Sequence, residues 1–280
     1  MCIRDRYDKA KLDEIRAQRL NEHGGELQDG IAKLIAELTT SDQFADEEVC
    51  SNYVYPREYK GPKPVEDQIK ALAKILDLDA GQALKFAETF RGFPVNAEGW
   101  FAIPSVDALA KKHFPKVTDP AEKYCRAVQL IHEKIAASRQ FYNYREGQIM
   151  PERLRVHART ALALDLIAEK QKGDILIIAA QLSLRHRGRS VRRAREVFIA
   201  SEFGLSSVAV GSIVLTHPER LVRWEELDMD CAGDEFSPDG DGQFSLAPCW
   251  CFGDCGVGFV ACVVSSANDH CGTASGFLPQ

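Results

Sequence analysis

The feature that most constrains this chain is a dense run of arginines that directly follows an apolar segment. Six of them fall within eleven residues: Arg185, Arg187, Arg189, Arg192, Arg193 and Arg195. Guanidinium groups repel one another, so a folded chain must place such a run against water, its own carboxylates or a bound polyanion. The whole chain has a formal net charge of -6, which makes this arginine tract an exception within an acidic protein.

Composition and the start of the chain favour an ordinary globular protein. The 280 residues are 45% hydrophobic and 27% charged, which is enough apolar material for a sizeable core. No run approaches the roughly 20 apolar residues that span a bilayer. The start lacks the apolar core of a signal peptide, so a cytoplasmic location is expected. The first six residues, MCIRDR, resemble a translated sequencing adapter from an assembled metagenome, and Cys2 is left out of the fold prediction.

Apolar spacing predicts that the first 172 residues are mostly helical. Ile69, Leu72 and Leu76 recur at the interval that places side chains on one helical face. Asp119 is expected to cap a later helix, with Pro120 as its first residue. The predicted helices cover 7–23, 26–38, 64–76, 80–90, 119–142 and 151–172, and a short strand covers 100–103.

The character of the sequence changes at Gly173. The run from Asp174 to Leu184 (DILIIAAQLSL) is almost continuously apolar, which predicts a buried strand. Ser190 is expected to cap a helix that reaches about Ser201, and beyond Gly204 short strands are expected. The predicted fold class is α+β: a helical N-terminal part followed by a mixed α+β C-terminal part with a small sheet. The predicted domains are 7–90, 91–172 and 173–280.

A β-hairpin is predicted near the C-terminus, across the turn Gly253-Asp254-Cys255-Gly256. Its strands would cover 245–252 and 257–265. If Phe252 pairs with Val257, alternation of side chains defines two faces. One face then carries Trp250, Phe252, Val257, Phe259 and Ala261, and the other carries Cys249, Cys251, Val260 and Cys262.

Residues 15–79 resemble a helix-turn-helix domain of the lambda-repressor type, which makes 7–90 a helix-turn-helix-like domain. The resemblance is carried by Arg19, Gly25, Gln28, Ile31, Ala32, Leu34, Glu58, Gly61, Pro64, Ile69, Leu72, Ala73, Leu76 and Leu78. In that family the glutamine and the helix after it approach DNA, so the resemblance implies DNA contact near Gln28. In this chain the recognition helix would lie in the segment SDQFADEEVCSN. This segment carries Asp42, Asp46, Glu47 and Glu48 but no basic residue.

The arginine tract is the strongest candidate for a binding site. In an extended stretch, Arg185, Arg187 and Arg189 would project to one side because side chains alternate. Gly188 would let the backbone approach a ligand closely. Backbone N–H groups at the helix start after Ser190 would favour an anion. The predicted anion site consists of Arg185, Arg187, Arg189, Ser190, Arg192, Arg193 and Arg195.

Three interpretations of the tract remain open. The leading one is a nucleic-acid-binding or regulatory protein that contacts DNA or RNA through the arginines, because a nucleic-acid backbone engages many cations at once. A neighbouring aromatic-basic patch would help by stacking on bases. This patch consists of Phe141, Tyr142, Tyr144 and Arg145.

The second interpretation is an enzyme or binding protein for a phosphorylated small molecule, which needs only two or three arginines. Acids such as Asp230, Asp234 or Glu235 would then hold Mg²⁺. The third is a structural module whose arginines are neutralised by its own acids. Eight acids lie between Glu225 and Asp241, and these are the expected partners.

The cysteines and histidines give weaker signals. Six of the nine cysteines follow Asp230 without a CxxC pair, so they are expected to fill a sheet as small buried residues, and no cofactor is predicted. The alternative is a zinc site formed by Cys249, Cys251, Cys262 and Cys271. His132 and His157 are expected to be scaffold residues, and His217 is the candidate general base. No nucleophile is identified by spacing, so whether the chain is an enzyme stays open.

Overall fold

The computed structural model describes residues 16, 18–19, 22–23, 42–89 and 92–278. The chain divides into two compact units, 1–42 and 43–280. In the first unit Arg16, Gln18, Arg19 and Glu22 are helical, within the helix predicted over 7–23. The helix predicted over 26–38, including Gln28, lies outside the described residues. The resemblance to repressor domains therefore stays a prediction.

Helices and strands alternate irregularly through the second unit. The helices are α1 (Val65–Leu76), α2 (Gly81–Ala87), α3 (Val106–His113), α4 (Pro120–Ser138), α5 (Ala158–Gln171), α6 (Val191–Glu196) and α7 (Ser207–Thr216). The strands are β1 (Gly99–Pro104), β2 (Phe141–Asn143), β3 (Leu154–Val156), β4 (Ile175–Gln181), β5 (Glu202–Gly204), β6 (Asp228–Asp230), β7 (Asp234–Phe236), β8 (Leu246–Gly253), β9 (Gly256–Val263), β10 (Cys271–Thr273) and β11 (Ser275–Phe277). Short 3₁₀ helices cover Leu184–His186 and Pro218–Arg220. This is an α+β fold, as predicted from the sequence.

The helices with strong local signals form where the sequence predicts them. In α1, Ile69, Leu72 and Leu76 are fully buried, as their spacing requires. Asp119 caps α4, since its Oδ2 accepts a hydrogen bond of 2.8 Å from the backbone N–H of Glu122. This helix ends at Ser138, four residues before the predicted end, because the chain then enters strand β2.

The helix predicted over 151–172 is wrong in its first part. Leu154 belongs to β3, which pairs antiparallel with β7 through the register Leu154↔Phe236. The helix α5 begins only at Ala158, after His157, whose Nδ1 accepts from the backbone N–H of Arg159. A long-range strand pairing thus overrides the helical pattern at the start of this segment.

A four-stranded sheet joins the middle of the chain to its end, in the order β1-β4-β11-β5. Its strands pair antiparallel, and β4 is buried along its whole length, as its apolar sequence predicts. Because β1 pairs with β4, the predicted domain boundary between residues 172 and 173 separates two neighbouring strands of this sheet. The strand ends at Gln181, before the predicted Leu184, where the 3₁₀ turn begins.

The second sheet has seven strands, so the sheet structure is larger than the predicted small sheet. Its main path is β10-β6-β8-β7-β3, with β9 paired to β8 and β2 paired to β9. The hairpin β8–β9 has the predicted register, since Phe252 lies opposite Val257. Trp250, Val257 and Phe259 are fully buried on one face, as alternation requires.

The helix α7 lies in the core, where the sequence analysis expects only short strands. Nine of its ten residues are buried, and it contacts α4, β1 and β8. A Cβ atom at Gly211 would lie 2.6 Å from Cγ2 of Ile131 and 2.7 Å from Cζ2 of Trp250. The glycine therefore permits close packing of α7 on its neighbours. The prediction is wrong here because a helix that is buried on every side has no polar face. Its sequence therefore lacks the alternation of apolar and polar residues that indicates a helix.

Among the described residues, none forms a helix that combines the length and the apolar character needed to cross a membrane.

Candidate functional site

The arginine tract is held against a segment far away in the sequence. Backbone hydrogen bonds join Val49 N–H to the Gly188 carbonyl at 2.8 Å and Ser190 N–H to the Glu47 carbonyl at 3.1 Å. Gly188 has φ +74°, and a Cβ atom there would lie 2.2 Å from the Val49 carbonyl oxygen. Only glycine fits this contact without a shift of the backbone. As a result, Glu47 and Glu48 lie beside the arginine side chains.

Four of the six arginines have carboxylate partners. Arg192 forms a bidentate pair with Glu47 through Nε and Nη2, and its hydrogen bonds lower the pKa of that carboxyl. Glu48 lies 2.6 Å from Arg193 and 3.2 Å from Arg189. The other two pairs are Arg193–Glu196 at 2.9 Å and Arg185–Glu202 at 3.1 Å.

Glu202 is the most buried carboxylate of these ion pairs, with its side chain fully excluded from solvent. It accepts hydrogen bonds from Ser275 at 2.6 Å and from Nε2 of His186 at 2.7 Å, in addition to Arg185. Burial alone would raise the pKa of Glu202, but hydrogen bonds and the neighbouring positive charges outweigh burial and lower it. This cluster fixes the 3₁₀ turn against β5 and β11.

The backbone donors expected to bind an anion are largely occupied. Ser190 N–H and Arg192 N–H donate to the carbonyls of Glu47 and Val264, respectively. The Ser190 hydroxyl caps α6, as predicted, and donates to Glu47 Oε2 at 2.6 Å. The helix spans only six residues and ends at Glu196, short of the predicted Ser201. The stretch 185–189 is also not extended, because a 3₁₀ turn contains Arg185 and Gly188 has a positive φ.

The remaining two arginines of the tract bind backbone carbonyls. Arg187 is exposed and donates to the Tyr53 carbonyl at 3.1 Å. Arg195 donates to the Ala232 carbonyl at 3.0 Å and to the Asp234 carbonyl at 2.7 Å. Within the part of the chain that the structure describes, neither has a carboxylate at ion-pair distance. The expected acidic partners between residues 225 and 241 supply only that carbonyl of Asp234 to the tract.

Arg192 and Arg195 line a cavity of about 340 Å³ between α5 and α6. The complete lining among the described residues is Phe44, His157, Arg159, Arg192, Arg195, Glu196, Phe198, Gly204 and Ala232. Three guanidinium groups and one carboxylate therefore face a single cavity. Two phenylalanine rings form part of its wall.

Arg159 is the cationic lining residue that the sequence analysis missed. Its Nη2 donates to the backbone carbonyls of Ile199 and Ala200, and its guanidinium carbon lies 5.6 Å from the centre of the Phe198 ring. Across the lining, the guanidinium carbon of Arg192 lies 4.2 Å from the centre of the Phe44 ring. No local spacing pattern joins these residues, because they come from three separate segments of the chain.

The electrostatics of the cavity reflect this concentration of cations. Burial lowers the pKa of the Arg159 and Arg195 guanidinium groups. Burial also lowers the pKa of His157, and the positive charge of Arg195 lowers it further. A bound anion would offset the cost of burying these cations. His157 is thus both the scaffold cap of α5 and part of the cavity wall.

A second cluster lies on the seven-stranded sheet, where β6 runs between β10 and β8. Asp230 of β6 lies opposite Cys249 of β8, and Asp228 of β6 lies opposite Cys271 of β10. The potential ligand atoms form two groups, each within 4.8 Å: Asp230, Cys249 and Cys271, and Asp228, His270 and Cys271. These largely buried Asp/Cys/His groupings could hold a metal ion. Cys251 and Cys262, part of the predicted zinc set, belong to neither group.

Charges interact strongly within this cluster. The adjacent Cys249 thiol lowers the pKa of Cys271 to about 6, and contact with Cys271 raises the pKa of His270 to about 9. Burial raises the pKa of Asp228 to about 8. The described cysteines, including this pair, are free thiols.

The other predicted site residues are dispersed. Asp234 accepts from the Tyr124 hydroxyl at 2.6 Å, and Glu235 pairs with Arg155 at 2.8 Å, so the predicted Mg²⁺ carboxylates do not converge with Asp230. His217 is fully buried and accepts from the backbone N–H of Lys63 at 3.0 Å. Burial lowers the pKa of His217 to about 4.

The predicted stacking patch is divided between two environments. Phe141 is half-buried and packs against the core beside Trp250, with ring centres 5.9 Å apart, whereas Tyr144 is exposed and donates to Asp254. Arg145 donates to the Ala261 carbonyl at 2.9 Å. Comparison with known proteins adds no assignment: no protein-family model, no curated protein and no solved structure matches this chain.

Proposed function

We propose that this protein binds a small phosphorylated molecule in the cavity lined by Arg159, Arg192 and Arg195. The observation that carries the proposal concerns Arg159 and Arg195. Both line the cavity, both are anchored by backbone carbonyls, and neither has a carboxylate at ion-pair distance among the described residues. Half-buried cations without acidic partners favour an anionic ligand.

The hydrogen-bonding capacity of these arginines fits a phosphate group. In each of Arg159, Arg192 and Arg195, the Nη1 nitrogen has no acceptor among the described residues. A phosphate offers three acceptor oxygens to such donors. No cofactor enters this proposal, because the cationic side chains alone supply the binding charge.

The cavity also has room for an apolar or planar part of the ligand. Its volume of about 340 Å³ lies in the range of small-molecule sites. The rings of Phe44 and Phe198 would contact a flat group such as a nucleobase. We therefore infer a ligand of the size of a mononucleotide rather than inorganic phosphate alone.

The distribution of partners favours a small ligand over a nucleic acid. Arg185, Arg189 and Arg193 pair with Glu202, Glu48 and other carboxylates of the same chain. A nucleic-acid backbone would need a row of exposed, unpaired cations. Of the six tract arginines, only Arg187 is exposed, and it lies outside the lining of the cavity.

Binding of mononucleotides and of nucleic acids tests this proposal. Thermal shift and calorimetric titrations with inorganic phosphate and a panel of mononucleotides should show saturable stabilisation by at least one nucleotide. Arg159→Gln should weaken that binding at least tenfold, whereas the matched control Arg187→Gln should leave it unchanged. In both variants a neutral side chain replaces an arginine whose hydrogen bonds, among the described residues, go only to backbone carbonyls.

Two outcomes would overturn the proposal. Tighter binding of single-stranded DNA or RNA than of any nucleotide, with steep salt dependence and equal losses in both variants, would indicate a nucleic-acid surface. No binding of any of these ligands, with only a lower melting temperature in Arg159→Gln, would indicate arginines that serve the fold alone.

A further inference from the structure

A second cluster of potential ligand atoms, separate from the cavity, lies on the seven-stranded sheet. We propose that Asp230, Cys249 and Cys271 bind one zinc-class divalent cation, with His270 as the fourth ligand on the solvent side. The three core donors come from β6, β8 and β10, which are adjacent strands. Hydrogen-bonded sheet positions hold them in a fixed mutual geometry.

The three core donors are enclosed by the protein. Asp230 and Cys271 are each 5% exposed, and Cys249 is 1% exposed. Their potential ligand atoms all lie within 4.8 Å of one another, close enough for small side-chain movements to bring them onto one ion. A buried carboxylate beside two thiols is costly unless a cation or a hydrogen-bond donor compensates it.

Asp230 differs from Asp234, another buried acid of the same sheet, in the groups that surround its carboxyl. Asp234 receives hydrogen bonds from the Tyr124 hydroxyl at 2.6 Å and the Ser207 N–H at 2.7 Å, as a buried carboxylate normally does. The side chains grouped around Asp230 are instead those of Cys249 and Cys271. Such a set is a common ligand chemistry for metals.

His270 completes the centre from the outside. It belongs to the second group, which shares Cys271, and its side chain is 47% exposed. Its Nδ1 lies 3.4 Å from Oδ1 of Asp269, a carboxylate–histidine contact of the kind that orients metal ligands. Partial exposure of His270 gives an ion a route to the buried donors.

The donor types select the class of ion. Two sulfur ligands favour zinc over Mg²⁺ or Ca²⁺, which prefer oxygen. Four-coordinate sites with cysteine, histidine and carboxylate ligands are typical of zinc. This set differs from the four-cysteine set predicted from the sequence, since Asp230 and His270 replace Cys251 and Cys262.

The two excluded cysteines provide matched controls. Cys251 and Cys262 lie on the same hairpin as Cys249 and are half-buried, yet neither belongs to the group around Asp230. Cys249→Ser and Cys271→Ser should therefore abolish stoichiometric zinc binding. Cys251→Ser and Cys262→Ser should retain it.

The experiment uses the full chain without an affinity tag that binds metal. After reconstitution with one equivalent of Zn²⁺ and desalting, elemental analysis should find about one zinc per chain. In a parallel Co²⁺ titration, a thiolate-to-cobalt charge-transfer band should appear and saturate at one equivalent. A chromogenic thiol reagent should modify two fewer cysteines in the zinc-loaded protein than in the metal-free protein.

Two results of this experiment would contradict the proposed ligand set. Failure of the wild-type chain to retain zinc or to show the cobalt band would overturn the proposal. Equal loss of metal in Cys262→Ser and Cys249→Ser would overturn the ligand set in favour of four cysteines. If Cys249→Ser does not fold, Asp230→Asn replaces it as the ligand variant, and thiol protection in the wild-type chain still decides the question.

Discussion

Glu47 and Arg192 form a bidentate ion pair across 145 residues of sequence, in which Nε of Arg192 donates to Oε2 of Glu47 at 2.8 Å and Nη2 donates to Oε1. This pair joins the acidic segment before α1 to the arginine tract. The same segment is the one where the resemblance to repressor domains would place a recognition helix. Its acids pair with Arg189, Arg192 and Arg193. Among the described residues, Arg195 of the tract and Arg159 of α5 are then the cavity arginines without a carboxylate at ion-pair distance.

The buried ion cluster at Glu202 should be essential for stability. Glu202→Gln keeps the size of the side chain but leaves Arg185 and His186 without a negative partner. Loss of one member of a buried ion pair typically costs about 3–5 kcal/mol, so a decrease of this size in the free energy of unfolding is expected. Urea denaturation followed by circular dichroism measures it. The exposed Asp239→Asn is the control, and equal midpoints for the two variants would contradict the prediction.

Replacement of Gly211 should be destabilising although alanine is the better helix former. In an open helix the change would gain up to about 1 kcal/mol. Here the added methyl would lie 2.6 Å from Ile131, and overpacking of a core typically costs about 1–3 kcal/mol. Gly211→Ala should therefore lower the melting temperature. Gly253→Ala, where a methyl meets no atom within 4 Å, should not, and similar shifts in both would refute the packing argument.

Acid should destabilise the fold through His132. This side chain lies among Phe141, Trp250 and Phe259, and burial lowers the pKa of His132 to about 3. Between that pKa and its ordinary value near 6.5, the unfolded chain binds more protons than the folded one, so stability falls as pH falls. The contribution is about 1.4 kcal/mol for each pH unit below 6.5.

The variant His132→Phe, which cannot titrate, isolates this effect. Its free energy of unfolding should fall less steeply with acid than that of the wild-type chain between pH 6.5 and 4. Above pH 7 the difference between the two proteins should be constant. Parallel curves across the whole range would show that His132 does not contribute to acid unfolding.

Anion affinity should increase when the acid of the cavity is neutralised. Glu196 is the one acidic residue among the described lining residues. Glu196→Gln keeps the shape of the side chain and removes a negative charge near the bound phosphate, so the dissociation constant should fall roughly threefold to tenfold. Calorimetry at two salt concentrations measures this gain, which should shrink as salt rises. Weaker binding in this variant would contradict the placement of the anion in the cavity.

Some elements are predictable because their signals are local. The apolar spacing of Ile69, Leu72 and Leu76 and the cap at Asp119 depend on neighbours within a few residues. The hairpin register, with Phe252 opposite Val257, follows from a short turn and strict alternation. In each case the interactions that determine the structure lie within one turn of helix or one pair of neighbouring strands.

The partners of charged groups are not local. A guanidinium group attracts any carboxylate, so charge pattern alone cannot choose between the acids at 225–241 and Glu47, Glu48 or Glu202. That choice depends on the backbone pairing at Gly188, which joins distant segments. Arg159 was missed for the same reason, because its relation to Arg195 exists only after α5 and α6 pack together.

The residues of the two candidate sites are therefore determined partly by the sequence and partly by the tertiary structure. Amino-acid type and short-range periodicity establish that the chain is α+β, that its arginines must be compensated and that its late cysteines lie on a sheet. The tertiary structure then determines the neighbours of these groups. It places carboxylates beside four arginines of the tract, places Arg159 and Arg195 in the wall of a cavity, and brings Asp230 close to Cys249 and Cys271. Separation along the sequence does not predict these neighbours, because the energy of a charged or metal-binding group depends on the groups close to it in space.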